Sequence, residues 1–308
     1  MIEDIKSKLE KKNLSESSIK AYLNILKKLN DNKPIKTLNY LKKTENINEI
    51  INKYKPNTQR NILIAIVSVL NLYPEYSKLM IKYGLQLKNL VKDIEKEDIN
   101  EKSEAQNKNW LTYDKVLEKY NELEKEVNTF KNNKNVNQFQ YYALLKYVVL
   151  SFYIEQPPRR NSDYFLMNII YDDNNKNLSK DNNYYVHSTK EFIFNNYKTS
   201  KKYGSVKQKI NKKQEEILDI YIKFHPLIKG KLKKKDNIPL LVTFDSKPFK
   251  TSNQITRILN SIFGLKIGSS MLRHIFLSSK YGDELKEMKE DAIKMGHDLN
   301  TQKDYIKD

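Results

Sequence analysis

The stretch FQYYALLKYVVLSFYIEQPPRRNSDYFLMNIIYDD, residues 139–173, holds the change of period that decides the fold. Its first half is apolar almost all round, which reads as a long helix buried on every side. Pro157 and Pro158 stop that helix, because a proline pushes the residue before it out of helical geometry. After PPRRNSDY the pattern shortens. FLMNIIYDD, NYYVHST and EFIFNNYK are β-prone runs separated by Asn, Asp and Lys turns. They predict a small antiparallel sheet at the edge of a helical domain. From Asn211 the chain reads as mostly helical again. Ser252 is the expected cap of NQITRILNSIF, Gly268 precedes the next helix, and Gly282 lies near that helix's end.

Toward the N-terminus, residues 1–98 read as helical. Ser15 caps a helix that puts Ile19, Tyr22, Leu23, Leu26 and Leu29 at helical spacing. KPNTQRNILIAIVSVL opens a second helix, capped by Asn57 or Thr58 and central to a small bundle. A third amphipathic stretch covers Tyr76 to Ile94. EKEDINEKSEAQNKN has few apolar residues and no period, which predicts a linker at 99–109. Trp110 opens a second domain, 110–308, whose first helix is WLTYDKVLEKYNELEKEV and whose next segment, VNTFKNNKNVNQ, is a polar loop. The fold class expected is mainly α with a small antiparallel sheet, an N-terminal helical domain preceding an α+β one. A length of 308 residues suits two domains that each bury a core.

The formal net charge is +18, an excess that favours an anionic partner. A Lys- and Asn-rich composition accounts for part of it. The arginines are more telling. Of the 56 basic residues only Arg60, Arg159, Arg160, Arg257 and Arg273 are arginine. Arginine grips phosphate oxygens in a planar fork that lysine cannot reproduce, so each is a candidate for a position lysine cannot fill. Cysteine is absent, which excludes disulfides, thiolate chemistry and Cys-based zinc sites. There is no Gly-rich phosphate loop, so ATP use is not expected. The start lacks an apolar signal core and no run is long enough to cross a membrane. The expectation is a soluble, intracellular protein without a small-molecule cofactor.

Six residues carry candidate chemistry. Arg160 follows the buried helix, with Asp163 three residues on to orient it. Lys198, in NNYKTSKKYG, sits at or near a hairpin tip, with Lys201 and Lys202 close by. Ser270 and Arg273 share a helix face, and His274 lies beside Leu277. An arginine flanked by Met, Leu, Ile and Phe is partly buried and needs an anion, either an internal carboxylate or a ligand phosphate. His297 lies in MGHDLN, where Gly296 and Asn300 mark a turn before a helix near Thr301. Tyr305 is one of 21 tyrosines. Each is ordinary alone: a helix-end charge cluster, a solvated turn, a structural histidine, a packing tyrosine. Their order and spacing are not ordinary.

That order resembles the tyrosine recombinase, or phage-integrase-like, family. Its pattern is Arg, hairpin Lys, His-x-x-Arg, His or Trp, then a nucleophilic Tyr. Arg160, Lys198, Arg273 in LRH, His297 in GH and Tyr305 match in turn, over residues 104–308. PPRRNSDY and NKNWLTYD look most like recombinases of viruses and eukaryotic mobile elements. Residues 1–98 look like the family's DNA core-binding domain. Ser270 stands where the family has the first histidine of His-x-x-Arg, and serine shuttles a proton poorly at neutral pH. The spacing from His297 to Tyr305 is one residue short of the common one. Only Ile306, Lys307 and Asp308 follow Tyr305, where many relatives carry a helix that docks on a neighbouring subunit. The expectation is a different mode of assembly or a trimmed chain.

The resemblance implies strand cleavage and rejoining through a 3′-phosphotyrosine at Tyr305, without metal or ATP. It implies double-stranded DNA as partner and a homotetramer on paired sites. Location then follows the target DNA: host nucleus or cytoplasm, or a viral factory. Two alternatives stay open, a type IB topoisomerase and a catalytically silent DNA-binding relative. A carboxylate metal nuclease has only Asp172 and Asp173, in a polar turn, to support it.

Overall fold

The computed structural model describes residues 1–96, 102–172, 178–228, 231–234 and 236–306. The chain divides into two compact units, Met1–Lys102 and Ser103–Asp308. The first is helical: α1 (Ile2–Lys11), α2 (Glu16–Leu29), α3 (Thr44–Asn52), α4 (Pro56–Leu70) and α5 (Ser77–Lys96). Ser15 caps α2, its side chain accepting from the Ser18 N–H at 3.2 Å. α4 starts differently from expectation. Lys55 is its N-cap and Pro56 takes the first turn, with no side-chain cap from Asn57 or Thr58. Proline suits that position because its missing N–H would be unpaired there anyway. Ile62, Leu63, Ala65, Ile66, Val69 and Leu70 are buried on α4. It is the central helix of a core that also takes Leu26, Ile51 and Tyr83.

The second unit runs α6 (Glu104–Asn109), α7 (Tyr113–Asn128), α8 (Gln138–Ile154), α9 (Asn161–Phe165), β1 (Met167–Ile170), β2 (Asn183–Val186), β3 (Glu191–Phe194), α10 (Ser200–Tyr203), β4 (Val206–Lys209), α11 (Lys212–Phe224), β5 (Asn237–Pro239), α12 (Asn253–Phe263), α13 (Ser269–Met295) and α14 (Leu299–Tyr305). The architecture is mostly helical with one small sheet. α6 occupies part of the expected linker. Ser103 and Gln106 form a capping box around its start, which supplies a polar helix with the partners its first N–H groups need.

The sheet order is β4-β3-β2-β1-β5. It is mixed rather than purely antiparallel, because β1 and β2 run parallel, with Met167 opposite Asn183 and Ile170 opposite Val186. A parallel pair requires the chain to cross over between its strands, unlike a hairpin. β4 and β5 went unforeseen: VKQK is half exposed on an edge and NIP is three residues long.

α8 is buried along nearly its whole length, as its apolar run predicts. The Phe152 ring stacks on Tyr164 of α9 at 4.4 Å, and Tyr164 packs edge-on to Phe192 and Phe194 of β3. The Tyr164 hydroxyl donates to the Phe152 carbonyl at 3.0 Å. Burying each such ring contributes roughly 1.5–3 kcal/mol. The short α9 is thereby clamped between helix and sheet, and the clamp fixes whatever α9 carries. Among the described residues no helix is long and apolar enough to cross a membrane.

Candidate functional site

Three of the five arginines gather at one end of the second unit, while Arg60 and Arg257 are exposed on α4 and α12. Arg160 is the N-cap residue of α9, in extended geometry, and its side chain does no capping. Arg273 lies in the first turns of α13. Its Nε donates to the Ser269 carbonyl at 3.2 Å. Burial and then the neighbouring Arg160 cation push the Arg273 guanidinium below its ordinary range, while Asp163 and Tyr153 pull the other way. The Arg160 charge is therefore close enough to be felt at Arg273, and neither guanidinium has an ion-pair partner among the described residues. α13 is N-capped by Gly268, so no side chain caps its first N–H groups either. Helix N-termini of this kind favour an anion.

The carboxylate expected to orient Arg160 is committed elsewhere. Asp163 is 2% exposed and takes the Nε of Arg159 on its Oδ2 at 3.1 Å, with the Ser162 hydroxyl on its Oδ1. Arg160 lies outside α9, so the helical i, i+3 relation does not apply to it. Ser270 is exposed one turn before Arg273. His274 is exposed too.

Both arginine-bearing elements are held by one bridge. Asn161 accepts from the Tyr153 hydroxyl at 2.6 Å and donates to the Thr256 hydroxyl at 2.8 Å. Thr256 lies against Gly268, where an added Cβ would meet its methyl at 3.7 Å. α9 is thus tied to α12, and α12 to the start of α13.

Lys198 lies exposed in the connection between β3 and β4, which pair antiparallel from Phe194↔Val206 to Glu191↔Lys209. That connection also contains the short α10. Asn183, fully buried at the start of β2, secures its root. The Asn183 amide donates to the Asp163 and Asn196 carbonyls at 2.6 and 2.9 Å. Its oxygen accepts the Asn195 and Asn196 N–H groups at 2.8 Å each. All four of its hydrogen-bonding positions are used. Sequence reading missed Asn183, Asn161 and Thr256. Only the rarity of arginine pointed toward Arg159.

His297 and Tyr305 lie together at the other end of α13. Their rings are 5.6 Å apart and inclined by 36°. The His297 Nδ1 lies 3.2 Å from the Asp298 carbonyl. Asp298 caps α14 by accepting the Thr301 N–H at 2.9 Å, and that bond holds its carboxyl below the usual range. Tyr305 is 72% exposed. α13 does not end near Gly282. It continues to Met295 and closes at Gly296, whose φ of 76° is left-handed. At about 1.5 Å per residue, Arg273 and Met295 stand roughly 33 Å apart along the axis. The structure therefore brings Arg160 and Arg273 together, and His297 and Tyr305 together, but does not join the two pairs.

Asp172 stands in a loop, and Asp173 lies outside the described residues. Among those described, no three His, Asp or Glu side chains stand close enough to share a metal.

No family model matches the chain, and no curated protein matches it. A solved structure, the crystal structure of XerA recombinase, is similar to it at 14% identity, over 98% of this chain and 92% of that one, with a TM-score of 0.35.

Proposed function

We propose that this chain breaks and rejoins DNA strands in the manner of a tyrosine recombinase. The observation that carries the reading is that the Arg160 charge is felt at Arg273, both forks being partly buried and, among the described residues, without ion-pair partners, near a helix start that no side chain caps. Such a pair demands an anion, and a planar fork on each side suits the two non-bridging oxygens of a phosphodiester.

The roles are those that the resemblance implies. Arg160 and Arg273 stabilise the charge that develops on those oxygens. The Tyr305 oxygen attacks phosphorus and its proton passes to water. The P–O5′ bond breaks, its electron pair stays on oxygen, and Lys198 gives that oxygen a proton. The product is a 3′-phosphotyrosine. It conserves the ester bond, so a second strand's 5′-hydroxyl can reverse the step without ATP. His297 donates a hydrogen bond to the phosphate. The exposed Ser270 hydroxyl contributes one bond where a histidine would also move a proton.

With α13 unbroken, Tyr305 is out of reach of its own arginine pair. Cleavage needs α13 to change course or needs Tyr305 from another copy. Gly282 stands mid-helix with open space around its α-carbon, and glycine is where helix propensity is weakest. Mixing Arg273→Ala with Tyr305→Phe separates the routes: restored cleavage means a tyrosine from another copy, and none means a bend within one chain. The partner is double-stranded DNA, bound through lysines with strong salt dependence. The helical N-terminal domain supplies further contacts, and four copies serve two duplexes.

The test is a nicked suicide duplex, incubated in EDTA with wild type and with Tyr305→Phe. A denaturant-resistant adduct in the wild type alone supports the reading. Adduct with either protein, or with neither, contradicts it. Exchange between two duplexes, rather than relaxation of one, separates a recombinase from a type IB topoisomerase.

A further inference from the structure

Arg159 has no part in the arginine pair, yet it is the most tightly held arginine in the group. Its guanidinium carbon lies 3.9 Å from the centre of the Phe194 ring and 5.0 Å from that of Tyr197. Its Nε is anchored on buried Asp163. Phe194 ends β3, and Tyr197 immediately precedes Lys198. The Tyr197 hydroxyl donates to the Gly204 carbonyl at 2.9 Å and so closes the connection on itself. Lys198 is exposed and, among the described residues, its side chain has no hydrogen bond or ion pair of its own. Its place is therefore set by the backbone it hangs from. Arg159 grips that backbone through Tyr197, and its own next neighbour is Arg160. A single side chain thus links the residue beside the arginine pair to the residue beside the lysine.

Lysine at this position would keep the charge and the pairing with Asp163. It would lose the flat face that covers two rings at once. This explains an arginine here in a chain that otherwise uses lysine.

We propose that Arg159 is a positioning residue, clasped between Asp163 and the Phe194 and Tyr197 rings, which holds Lys198 at the leaving oxygen of a phosphate seated on Arg160 and Arg273. The proposal rests on the strand-breaking reading above and adds to it how the general acid is aimed. It makes a distinction that a merely structural role would not. Losing Arg159 harms proton delivery to the leaving group and spares the arginine pair.

The test compares two suicide substrates in single-turnover cleavage. One carries the ordinary 5′-bridging oxygen. The other carries sulfur there, which leaves as a thiolate with the P–S electron pair and needs no proton. Lys198→Ala slows cleavage of the oxygen substrate about 100-fold, the usual worth of a general acid, and sulfur restores the rate. Arg159→Lys follows the same pattern with a loss of about 10-fold, and Tyr197→Leu does so more mildly. Equal slowing on both substrates, or no slowing on either, overturns the proposal. Amide hydrogen exchange over residues 195–205 gives a second, independent decision. It rises in Arg159→Lys if the clasp holds the turn, and an unchanged rate overturns the proposal. If the wild type forms no adduct at all, the strand-breaking reading fails, and exchange alone still decides whether Arg159 holds the turn.

Discussion

The two ends of α13 are built on different terms. At its start, Arg273 stands in a framework fixed from several sides. Asn183 uses four hydrogen bonds, Asn161 bridges two helices, and Phe152 and Tyr164 stack beneath. At its end, only Ala292 is buried in the last turns, while Ile293, Met295, Tyr305 and Ile306 are exposed. Preorganised charge must be held in place before the reaction, because the benefit comes from not reorganising when the transition state forms. A nucleophile needs only to arrive. The contrast fits partly buried cations held against a fixed framework and a tyrosine carried on an exposed helix.

The largest effect should come from the arginines. Arg160→Ala or Arg273→Ala is expected to slow single-turnover adduct formation by about 10²–10³ each, while DNA binding in a filter or anisotropy assay weakens far less. Lysine at either position should recover little, since the planar fork is lost. Equal losses in binding and cleavage would mean that the pair merely holds DNA.

Next is the framework. Asn183→Leu leaves the Asn195 and Asn196 N–H groups and the Asp163 carbonyl without their partner. Urea unfolding should show the second unit destabilised by about 3 kcal/mol. Asp298→Ala, which removes the cap of α14, should leave that transition unchanged. If both substitutions moved it alike, the two ends of α13 would be equally integrated in the core.

The third effect is smaller and depends on pH. His225 is buried, and burial pushes it down to about 4. Its Nδ1 accepts the Leu227 N–H, so the proton sits on Nε2, facing the Pro239 carbonyl. The unfolded chain takes up a proton near 6.5, and the folded one does so only near 4. Stability therefore falls as pH drops below 6.5, by about 2 kcal/mol at pH 5. His225→Gln, which can keep one of the two bonds, should flatten that slope in a thermal melt series.

Smallest is Gly282→Ala. An alanine side chain meets nothing within 4 Å there. Helix propensity predicts stabilisation of α13 by about 1 kcal/mol, seen as a higher melting temperature of the helical signal. A loss of stability would mean that α13 already departs from a regular helix at that point.

What the sequence disclosed, and what it withheld, follows physical lines. α8 and the strands β1 to β3 were legible because apolar runs of distinct length write their own period. β4 and β5 were not, since VKQK and NIP carry too few apolar side chains to signal a strand, and the partner of β5, β1, is distant in sequence. α6 was passed over as linker although SEAQ spells its capping box. Gly282 was read as a helix end because glycine weakens helices, but no turn residue follows it before Gly296. At the site, the rarity of arginine marked Arg160 and Arg273 and the resemblance marked Lys198, and the fold brings the Arg160 charge within reach of Arg273. The pairing of Asp163 with Arg159 rather than Arg160 was invisible, because it depends on where α9 begins. Asn183 was invisible too. An asparagine at the head of NYYV says nothing of four backbone partners that lie 12 to 20 residues away.

The most direct measurement is to digest the trapped protein–DNA adduct and identify which of the 21 tyrosines carries the nucleotide. The account predicts one modified peptide, ending in the sequence around Tyr305, with the DNA joined through its 3′-phosphate. A nucleotide on any other tyrosine, or a 5′-phosphate link, would contradict it.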